Sequence, residues 1–380
     1  MKILVLTSST GGGHDMRARS LKAWVEQEGI GEAVIYQALE STHVLYRFGV
    51  ELYNFIQQRA PILHQVYFNY LEAAGMFKSA RRILGKKKFS EVLKKEKPNV
   101  IVSVHGSLNH GFFEMAREVL GKDKVACVTY CGELFGGYGF SKHWVNPQAD
   151  LFIGATEETR KAAVRLGMPR TRAWTGGFLL NPRFWEKTLG KSARDAWVRE
   201  QFGLDPHQFL LVLGTGATGA NNHLALLKEL HRARLDIQVV ALCGRNEASM
   251  KKIRRWAKQH PELPTRAMGY TNAMARILHS ASALVARPGT GSTSEAILAG
   301  CPIIFNRIGG VMPQEWITIK YFRKRGMARV IKKPSDLPRI VKDLARHSQR
   351  WEKTQQFMRQ LHPRKTPRDI LKKLQQLCSA

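Results

Sequence analysis

The first 27 residues, MKILVLTSSTGGGHDMRARSLKAWVEQ (residues 1–27), contain the pattern that decides the fold. The apolar run at 3–6 predicts a buried strand, and the amphipathic stretch 16–27 predicts a helix. Three consecutive glycines lie between them and are followed by His14. Because glycine loses more conformational freedom on folding than any other residue, three in a row indicate that the backbone itself approaches a ligand. A strand, a glycine-rich turn and a helix are typical of a doubly wound α/β domain.

The same alternation of short apolar runs and amphipathic stretches continues along most of the 380 residues. It predicts parallel sheets with helices on both faces. A second glycine-rich turn, LGTGATGANN at 213–222, follows an apolar run of the second half. The chain is therefore expected to fold as two domains. The predicted strands are 3–6, 100–104, 125–129 and 151–153 in the first half, and 209–213, 237–242, 283–286 and 302–305 in the second.

The expected domain boundaries follow from this pattern and from the Pro and Gly residues between the two halves. An N-terminal domain is expected at 1–175. A linker region is expected at 176–205, followed by a C-terminal domain at 206–362. A basic helix at 363–380 is expected to pack back on the N-terminal domain.

The charge balance indicates an anionic partner. The chain has 60 Lys and Arg against 30 Asp and Glu, a formal net charge of +30. Such an excess says little about the fold but points to nucleic acid, an anionic membrane surface or an anionic small substrate. The five cysteines are scattered, and no clustered histidines accompany them, so neither a disulfide framework nor a metal site is expected. No apolar run reaches about 18 residues, so no membrane-spanning helix is expected.

Residues 45–97 depart from the alternation. Seven aromatic residues at 46–70 precede a stretch, 76–97, with nine Lys or Arg and two Glu. An aromatic segment followed by a basic one favours a membrane-surface element, and the alternative is a packed core with a solvated basic face. The side chains expected at the membrane or at the acceptor are Phe77, Arg81, Arg82, Lys86, Lys87, Lys88 and Phe89.

The glycine turn before His14 places backbone N–H groups at the positive end of a helix, which is a site for an anion or a closely bound ligand. The spacing is neither the G-x-G-x-x-G dinucleotide fingerprint nor a P-loop, since no G-K-[ST] follows. His14 has two interpretations of equal weight. It caps the helix, or it accepts a proton from a hydroxyl group.

The stretch ARPGTGSTSEAILAGCPIIFN at 286–306 contains the second candidate site. Thr290, Gly291 and Ser292 are placed to offer N–H groups and hydroxyls to a diphosphate, and Glu295 to bond a ribose. The structural alternative is that Ser292 and Glu295, three residues apart, form a helix-capping box.

Six motifs in order resemble one family of glycosyltransferases. They are GGGH (11–14), SVHGSLNH (103–110), CGRN (243–246), GYTNAM (269–274), RPGTGSTSEAILAGCPIIFN (287–306) and PQE (313–315). Together they look like the monogalactosyldiacylglycerol synthase and processive diacylglycerol glucosyltransferase family. That family is similar to the enzyme that adds N-acetylglucosamine to the lipid-linked peptidoglycan precursor. The resemblance covers nearly the whole chain.

The resemblance implies a GT-B fold, an α/β architecture in which two Rossmann-like domains face each other across a cleft. The acceptor lipid would bind the N-terminal domain and the nucleotide sugar the C-terminal domain. His14 would be the catalytic base and His105 would lie on the acceptor side. The residues implied for the donor phosphates and sugar are Gly12, Gly13, Gly214, Thr215, Thr290, Gly291, Ser292, Gln314 and Glu315. Those implied for the nucleoside are Gly244, Arg245, Asn246, Gly269, Tyr270 and Glu295.

The sequence therefore predicts an inverting transferase that moves a hexose from a UDP-sugar to a membrane lipid such as diacylglycerol. The UDP-sugar is a co-substrate, and no cofactor or metal is expected. The chain contains no Asp-x-Asp motif, which agrees with a fold that stabilises its diphosphate leaving group by helix N-termini and loop N–H groups. The expected location is cytoplasmic, on the inner face of the membrane, with no nucleic-acid partner. Three alternatives stay open: N-acetylglucosaminyl transfer to another lipid-linked acceptor, a UDP-N-acetylglucosamine epimerase, and a basic nucleic-acid-binding protein.

Overall fold

The computed structural model describes residues 1–59, 63–74, 78–214 and 222–379 and divides into two compact units. The first unit comprises Met1–Pro182, Met312–Tyr321 and Pro363–Ala380. The second comprises Arg183–Val311 and Phe322–His362. The expected linker at 176–205 is thus divided between the two units after Pro182.

The first unit is built on a six-stranded, all-parallel sheet. Its strands are β1 (Lys2–Thr7), β2 (Glu32–Gln37), β3 (Val100–Ser103), β4 (Ala126–Cys131), β5 (Leu151–Gly154) and β6 (Ala173–Thr175). Their order across the sheet is β2-β1-β3-β4-β5-β6. Residues 100–103 and 151–154 are buried throughout, as expected for inner strands covered by helices on both faces.

The second unit repeats this plan with six parallel strands. They are β7 (Leu210–Leu213), β8 (Gln238–Leu242), β9 (Thr265–Met268), β10 (Ala283–Ala286), β11 (Ile303–Asn306) and β12 (Arg329–Ile331). The order is β12-β11-β10-β7-β8-β9. Because all strands are parallel, the loops that follow β10, β7, β8 and β9 lie side by side at one edge of the sheet, which is where such sheets bind ligands.

Sixteen α-helices are assigned in the described part of the chain. Those up to the end of the first sheet are α1 (Gly13–Glu28), α2 (Ala38–Thr42), α3 (Val44–Arg59), α4 (Leu63–Ala74), α5 (Lys86–Glu96), α6 (Gly111–Leu120) and α7 (Glu157–Arg165). The rest are α8 (Lys191–Phe202), α9 (His223–Arg232), α10 (Glu247–Gln259), α11 (Met274–Ser280), α12 (Thr290–Leu298), α13 (Pro313–Arg323), α14 (Leu337–Arg346), α15 (Ser348–Gln360) and α16 (Pro367–Ser379).

The C-terminal helix α16 belongs to the first unit. Arg368 pairs with Glu28 at 2.9 Å, and its guanidinium lies over the ring of Trp24, 5.5 Å from the ring centroid. Both partners are on α1, so the end of the chain packs on the helix that follows the glycine turn. Within the described ranges, no helix is both long and apolar enough to span a bilayer.

Candidate active site

The loop between β1 and α1 has a backbone that only glycine adopts easily. Gly11 and Gly12 have φ angles of 77° and 76°, in the left-handed region that is strained for residues with a Cβ. Gly12 is the N-cap of α1, and no side chain caps the helix there. The glycines therefore serve the turn and leave the positive end of α1 uncovered by a capping side chain.

Side chains from three helices hold this loop in place. The Oε1 atom of Glu40 accepts hydrogen bonds from the Ser8 hydroxyl at 3.0 Å and from the Ser9 amide at 2.6 Å. Asn54 accepts from the Gly11 amide at 3.1 Å and donates to the Ser9 carbonyl at 3.0 Å. Asp15 accepts from the Ser9 hydroxyl at 2.6 Å. Asn54 lies on α3, so the aromatic segment contributes to the position of the glycine loop.

His14 has the protonation geometry of a general base. Its Nδ1 lies 2.7 Å from the carbonyl oxygen of Val104, which can only accept, so Nδ1 carries the proton. The neutral ring then has its lone pair on Nε2, which has no hydrogen-bond partner among the described residues. Burial and the nearby charge of Arg17 lower the pKa of His14 to about 4, so the ring is neutral at physiological pH.

His105 packs against His14, and both of its ring nitrogens already form hydrogen bonds. The two ring centroids are 4.4 Å apart. The Nδ1 of His105 accepts from the Ser107 amide at 3.1 Å, so its Nε2 donates to the Thr10 hydroxyl at 2.9 Å. Burial, and then the proximity of His14, lower the pKa of His105 well below its usual value. His105 therefore serves to position the loop and the ring of His14.

Glu133 is a second titratable group in this part of the first unit. Its side chain is buried, and its Oε2 has no hydrogen-bond partner among the described residues. Burial raises the pKa of Glu133 to about 7, against the opposing effect of the Arg17 guanidinium. The same guanidinium donates to the Gly132 carbonyl at 3.2 Å. The charge of Arg17 thus influences the ionisation of both Glu133 and His14.

These pKa values predict the pH profile of catalysis. A general base acts while it is unprotonated, so a base with a pKa of about 4 keeps its function as the pH falls to about 5 and loses it near 4. We expect kcat/KM for the acceptor, measured at saturating donor between pH 4 and 8, to show its acid limb near 4. The Glu133→Gln variant should retain that limb. A limb near 7 that disappears in this variant would instead assign the base to Glu133.

In the second unit, the two loops predicted to contact the nucleoside lie together. The Cys243 amide donates to the Met268 carbonyl at 2.7 Å, which joins the ends of β8 and β9. The Arg245 guanidinium carbon lies 5.5 Å from the centroid of the Tyr270 ring. Asn246 caps α10 by accepting from the Ser249 amide at 2.9 Å. Gly244 and Gly269 are also adjacent, because a Cβ added to Gly269 would lie 3.6 Å from the Gly244 carbonyl oxygen.

The helix α12 begins at Thr290 with Gly289 as its N-cap, and no side chain caps it. Ser292 is inside the helix, so the capping-box alternative for Ser292 and Glu295 is wrong. Burial raises the pKa of Glu295 to about 7, and no described residue forms a hydrogen bond or ion pair with its carboxyl group. A half-buried acid without a partner, one turn below an uncapped helix N-terminus that contains Gly291, is available to a ligand.

The end of β7 lies beside that of β10. The Gly214 amide donates to the Val285 carbonyl at 2.8 Å, and a Cβ on Gly214 would approach the Leu284 side chain to 3.2 Å. Thr215, predicted to contact the donor phosphates, lies outside the described residues.

Gln314 and Glu315 group with the first unit and not with the rest of the predicted donor residues. The Gln314 amide donates to the Tyr53 hydroxyl at 2.8 Å, and Glu315 accepts from the Met312 amide at 2.9 Å. In the described part of the chain, the buried Oε1 of Gln314 and the hydroxyl of Thr318 have no hydrogen-bond partner. These residues are one turn apart on α13, so this face of the helix presents unsatisfied polar atoms.

The residues predicted at the membrane separate into two groups. Five basic side chains are exposed, which is compatible with surface docking: Arg81, Arg82, Lys86, Lys87 and Lys88. The prediction for Phe89 is wrong, because its side chain is fully buried between Tyr36 and Phe112 at centroid distances of 5.7 and 5.1 Å. Phe77 lies outside the described residues.

Metal ligation is not apparent in the part of the chain that the structure describes, where no three His, Cys, Asp or Glu side chains cluster as ligands. The expected independence from metal stays a prediction.

Comparisons with known proteins agree with the motifs. Residues 14–178 match the family model for monogalactosyldiacylglycerol (MGDG) synthase, and residues 209–362 match that for the glycosyltransferase family 28 C-terminal domain. The chain is 23% identical over 378 residues to a processive diacylglycerol beta-glucosyltransferase of Bacillus pumilus, covering 97% of this chain and 93% of that protein. It is 23% identical over 356 residues to the chloroplastic monogalactosyldiacylglycerol synthase of Spinacia oleracea, covering 90% of this chain and 65% of that protein.

Solved structures show the same fold. MurG of Acinetobacter baumannii superposes with a TM-score of 0.61 at 15% identity, covering 99% of each chain. Anabaena HepE in complex with UDP and glucose gives a TM-score of 0.55 at 12% identity, covering 100% of this chain and 99% of that one. The predicted fold and family resemblance are confirmed. Residues 14–178 thus match a monogalactosyldiacylglycerol synthase domain, residues 209–362 match a glycosyltransferase family 28 C-terminal domain, and the chain is a UDP-sugar glycosyltransferase with the GT-B fold.

Proposed function

We propose that this enzyme transfers a hexose from a UDP-sugar to the free hydroxyl of a membrane lipid of the diacylglycerol type, with inversion at the anomeric carbon. The lipid oxygen attacks the anomeric carbon and its proton passes to Nε2 of His14. The bond between that carbon and the diphosphate breaks, and UDP leaves. The N–H groups at the start of α12 stabilise the negative charge on the leaving diphosphate without a metal.

The observation that supports the proposal best is the tautomer of His14. A base needs an unprotonated nitrogen pointing away from its own fold, and the bond to Val104 fixes that arrangement before any substrate binds. The diacylglycerol acceptor is supported by two similar proteins, one from Bacillus pumilus and one from Spinacia oleracea. Their names are processive diacylglycerol beta-glucosyltransferase and monogalactosyldiacylglycerol synthase.

The test is a transfer assay with the purified full chain. UDP-glucose, UDP-galactose and UDP-N-acetylglucosamine, each radiolabelled in the sugar, are incubated with mixed micelles that contain diacylglycerol. We expect one hexose donor to label the lipid and the product to have the inverted anomeric configuration. Label from UDP-N-acetylglucosamine alone would favour the N-acetylglucosaminyl alternative. Release of UDP without any labelled lipid would contradict transfer to diacylglycerol.

The first unit also has an exposed apolar surface suited to reaching a lipid acceptor. Leu45, Phe48, Leu52 and Phe55 recur at helical spacing on α3, and the two phenylalanines are 62% and 61% exposed. Val66 and Tyr70, four residues apart on α4, are also exposed. Clustered apolar side chains at this spacing are typical of surfaces that bind a partner or a membrane. We call the four α3 residues the apolar stripe.

The exposed lysines at the start of α5 support a membrane as that partner. Lys86, Lys87 and Lys88 form the first turn of the helix, which contains no acidic residue. Positive charges at a helix N-terminus oppose the helix dipole and cost about 0.3–1 kcal/mol each at an exposed site. An anionic surface would offset that cost, because each Lys near such a surface contributes about 1 kcal/mol.

The beginning of α3 lies close to the chain that precedes α5. The Tyr46 hydroxyl on α3 accepts from the Leu84 amide at 2.9 Å. A Cβ on Gly85 would lie 2.1 Å from the Thr42 carbonyl oxygen, so the chain before α5 packs closely on the residues before α3. This proximity supports a docking surface that includes both the apolar stripe and the lysines.

We expect the Phe48→Ser, Phe55→Ser double variant to lose most of its binding to phosphatidylglycerol vesicles. The change removes two exposed aromatic side chains, each worth about 1.5–3 kcal/mol when buried. The measurement is co-sedimentation at two salt concentrations, with UDP affinity as a check on folding. Leu166→Ser is the matched control, since Leu166 is 45% exposed elsewhere on the first unit. Equal sedimentation of the double variant and the control would reject the apolar stripe as the docking element.

A further inference from the structure

The second unit contains a cavity of about 740 Å³ that is separate from the predicted donor residues. It lies between the chain around 183–191 and helices α11, α12 and α15. None of its lining residues belongs to the predicted phosphate or nucleoside set. Six of them carry a permanent positive charge: Arg183, Lys187, Lys191, Arg194, Arg276 and Arg359. We call this cavity the basic pocket.

Only part of the positive charge of the basic pocket is paired with acidic groups. Glu186 is the acidic residue in the lining. Among the other cations, Arg194 pairs with Asp195 at 2.8 Å, and Arg359 donates to the uncharged amide of Gln355 at 2.9 Å. Lys187, Lys191 and Arg276 are exposed and form no ion pair among the described residues. Like charges that converge on one concave surface repel one another and raise the local concentration of anions.

Two histidines add polar groups to the wall of the pocket. The Nδ1 of His279 donates to the Ala275 carbonyl at 2.7 Å, and the Nε2 of His362 donates to the Ile297 carbonyl at 2.7 Å. Each ring is therefore fixed by one main-chain bond. Its other nitrogen has no hydrogen-bond partner among the described residues and carries a lone pair, so it can accept a hydrogen bond from a hydroxyl group of a ligand.

The helices that form the wall are anchored in the core of the second unit. Ile277 and Leu278 on α11 and Met358 on α15 are almost fully buried, so the backbone that supports the charges is held by packing. No Phe, Tyr or Trp side chain is among the residues that line the cavity. The pocket combines fixed walls, guanidinium and ammonium groups, and imidazole nitrogens.

We propose that the basic pocket is a second binding site of the enzyme, distinct from the donor site, for an anion that carries a phosphate group. Guanidinium groups bind phosphate oxygens in paired hydrogen bonds, and lysines contribute point charges. The phosphate belongs either to a lipid headgroup or to a soluble phosphate compound, since both present the same oxygens.

The experiment measures phosphate binding to the full chain by titration calorimetry, with one equivalent of UDP, which occupies the donor site and leaves no excess diphosphate to compete for the basic pocket. The test variant is Lys187→Glu, Lys191→Glu, Arg276→Glu, which reverses three exposed charges of the pocket. The matched control is Lys342→Glu, Arg346→Glu, Lys353→Glu, which makes the same change in net charge at exposed positions of the same unit outside the pocket. Circular dichroism melting confirms that both variants fold.

We expect the parent and the control to bind inorganic phosphate with similar affinity and the pocket variant to bind it at least about tenfold more weakly, because three attractive charges become repulsive. A second arm adds phosphatidylglycerol vesicles to the phosphate complex. Displacement of phosphate assigns the site to a headgroup and lack of displacement assigns it to a soluble phosphate, and both results uphold the site. Equal weakening in the two variants, or no saturable phosphate binding by the parent, would overturn the proposal.

Discussion

His14→Ala is expected to lower turnover by about 10²–10⁴ while UDP affinity stays within about twofold. The side chain lies on α1 of the first unit, and the predicted nucleoside ligands lie in the second, so removal of the imidazole acts on proton transfer and not on donor binding. The measurements are kcat in the lipid transfer assay and the dissociation constant of UDP by calorimetry. Added imidazole should restore part of the activity, because it supplies a base to the vacated space.

The matched control for this prediction is His105→Gln. His105 packs on His14 but uses both ring nitrogens for the Ser107 amide and the Thr10 hydroxyl. Its replacement should loosen the glycine loop and lower activity less than loss of His14, with no rescue by imidazole. Near-parental turnover of His14→Ala would remove His14 from the mechanism. If added imidazole restored activity to the His105 variant and not to the His14 variant, His105 would be the base and His14 the positioning residue.

Glu295→Ala is expected to weaken UDP binding by about 10- to 100-fold, because the carboxylate would otherwise accept one hydrogen bond from the ribose worth about 1.5–3 kcal/mol. The control is Glu229→Gln, which changes a surface acid already paired with Arg232 in the same unit. UDP affinity of the control should equal that of the parent. An unchanged dissociation constant in Glu295→Ala would leave Glu295 without a role in nucleotide binding.

Stability gives an independent measurement at the same residue. The pKa of Glu295 is raised in the folded chain from 4.5 to about 7, so folding favours the protonated form. The cost of ionising Glu295 is small at pH 4.5, grows as the pH rises from 4.5 to about 7, and stays constant above that. We therefore expect Glu295→Gln to raise the free energy of unfolding by about 1–3 kcal/mol at pH 8.5 and to leave it unchanged at pH 4.5. A variant less stable than the parent at pH 8.5 would show that the carboxylate has a stabilising partner.

The strands that sequence analysis identified are the four inner strands of each sheet, and those it missed are the four edge strands. β2 and β6 flank the first sheet, and β9 and β12 flank the second. Inner strands are covered by helices on both faces, so their sequences are continuous apolar runs. The edge strand β2 has two exposed ends and one fully buried residue, Ala33, so its sequence does not contain the pattern that was searched for.

Only those residues of the candidate site that lie in a local sequence pattern could be predicted. His14 and the α12 residues lie next to glycine turns, so a local pattern marks them. Glu40 and Asn54 hold the same loop from 31 to 45 residues away, and neither has a neighbouring motif that distinguishes it from other surface residues. Contacts made by the tertiary fold leave no local pattern.

The wrong prediction for Phe89 arose because the sequence of an amphipathic helix does not show which face is buried. Phe89 follows three lysines, and a basic run beside an aromatic residue resembles a docking element. In the structure Phe89 and Leu93, one turn apart, form the buried face of α5 while the lysines form the exposed face. The exposed aromatics lie on α3 instead. Helical spacing identified two faces, but only the packing of α5 on α2 and α6 decides which of them is buried.

The division of the chain into three segments for one unit and two for the other limits how such enzymes can be recombined. The polypeptide passes from one unit to the other four times, after Pro182, Val311, Tyr321 and His362. A chimera made by one crossover near Pro182 would join the first unit of one enzyme to a foreign α13 segment and a foreign α16. In the reciprocal chimera, Arg368 would face a foreign α1 that does not necessarily carry residues equivalent to Glu28 and Trp24. A graft of the second unit between relatives therefore leaves the first unit intact only when the parental 312–321 and 363–380 are retained, and the predicted sugar residues Gln314 and Glu315 then stay with the recipient.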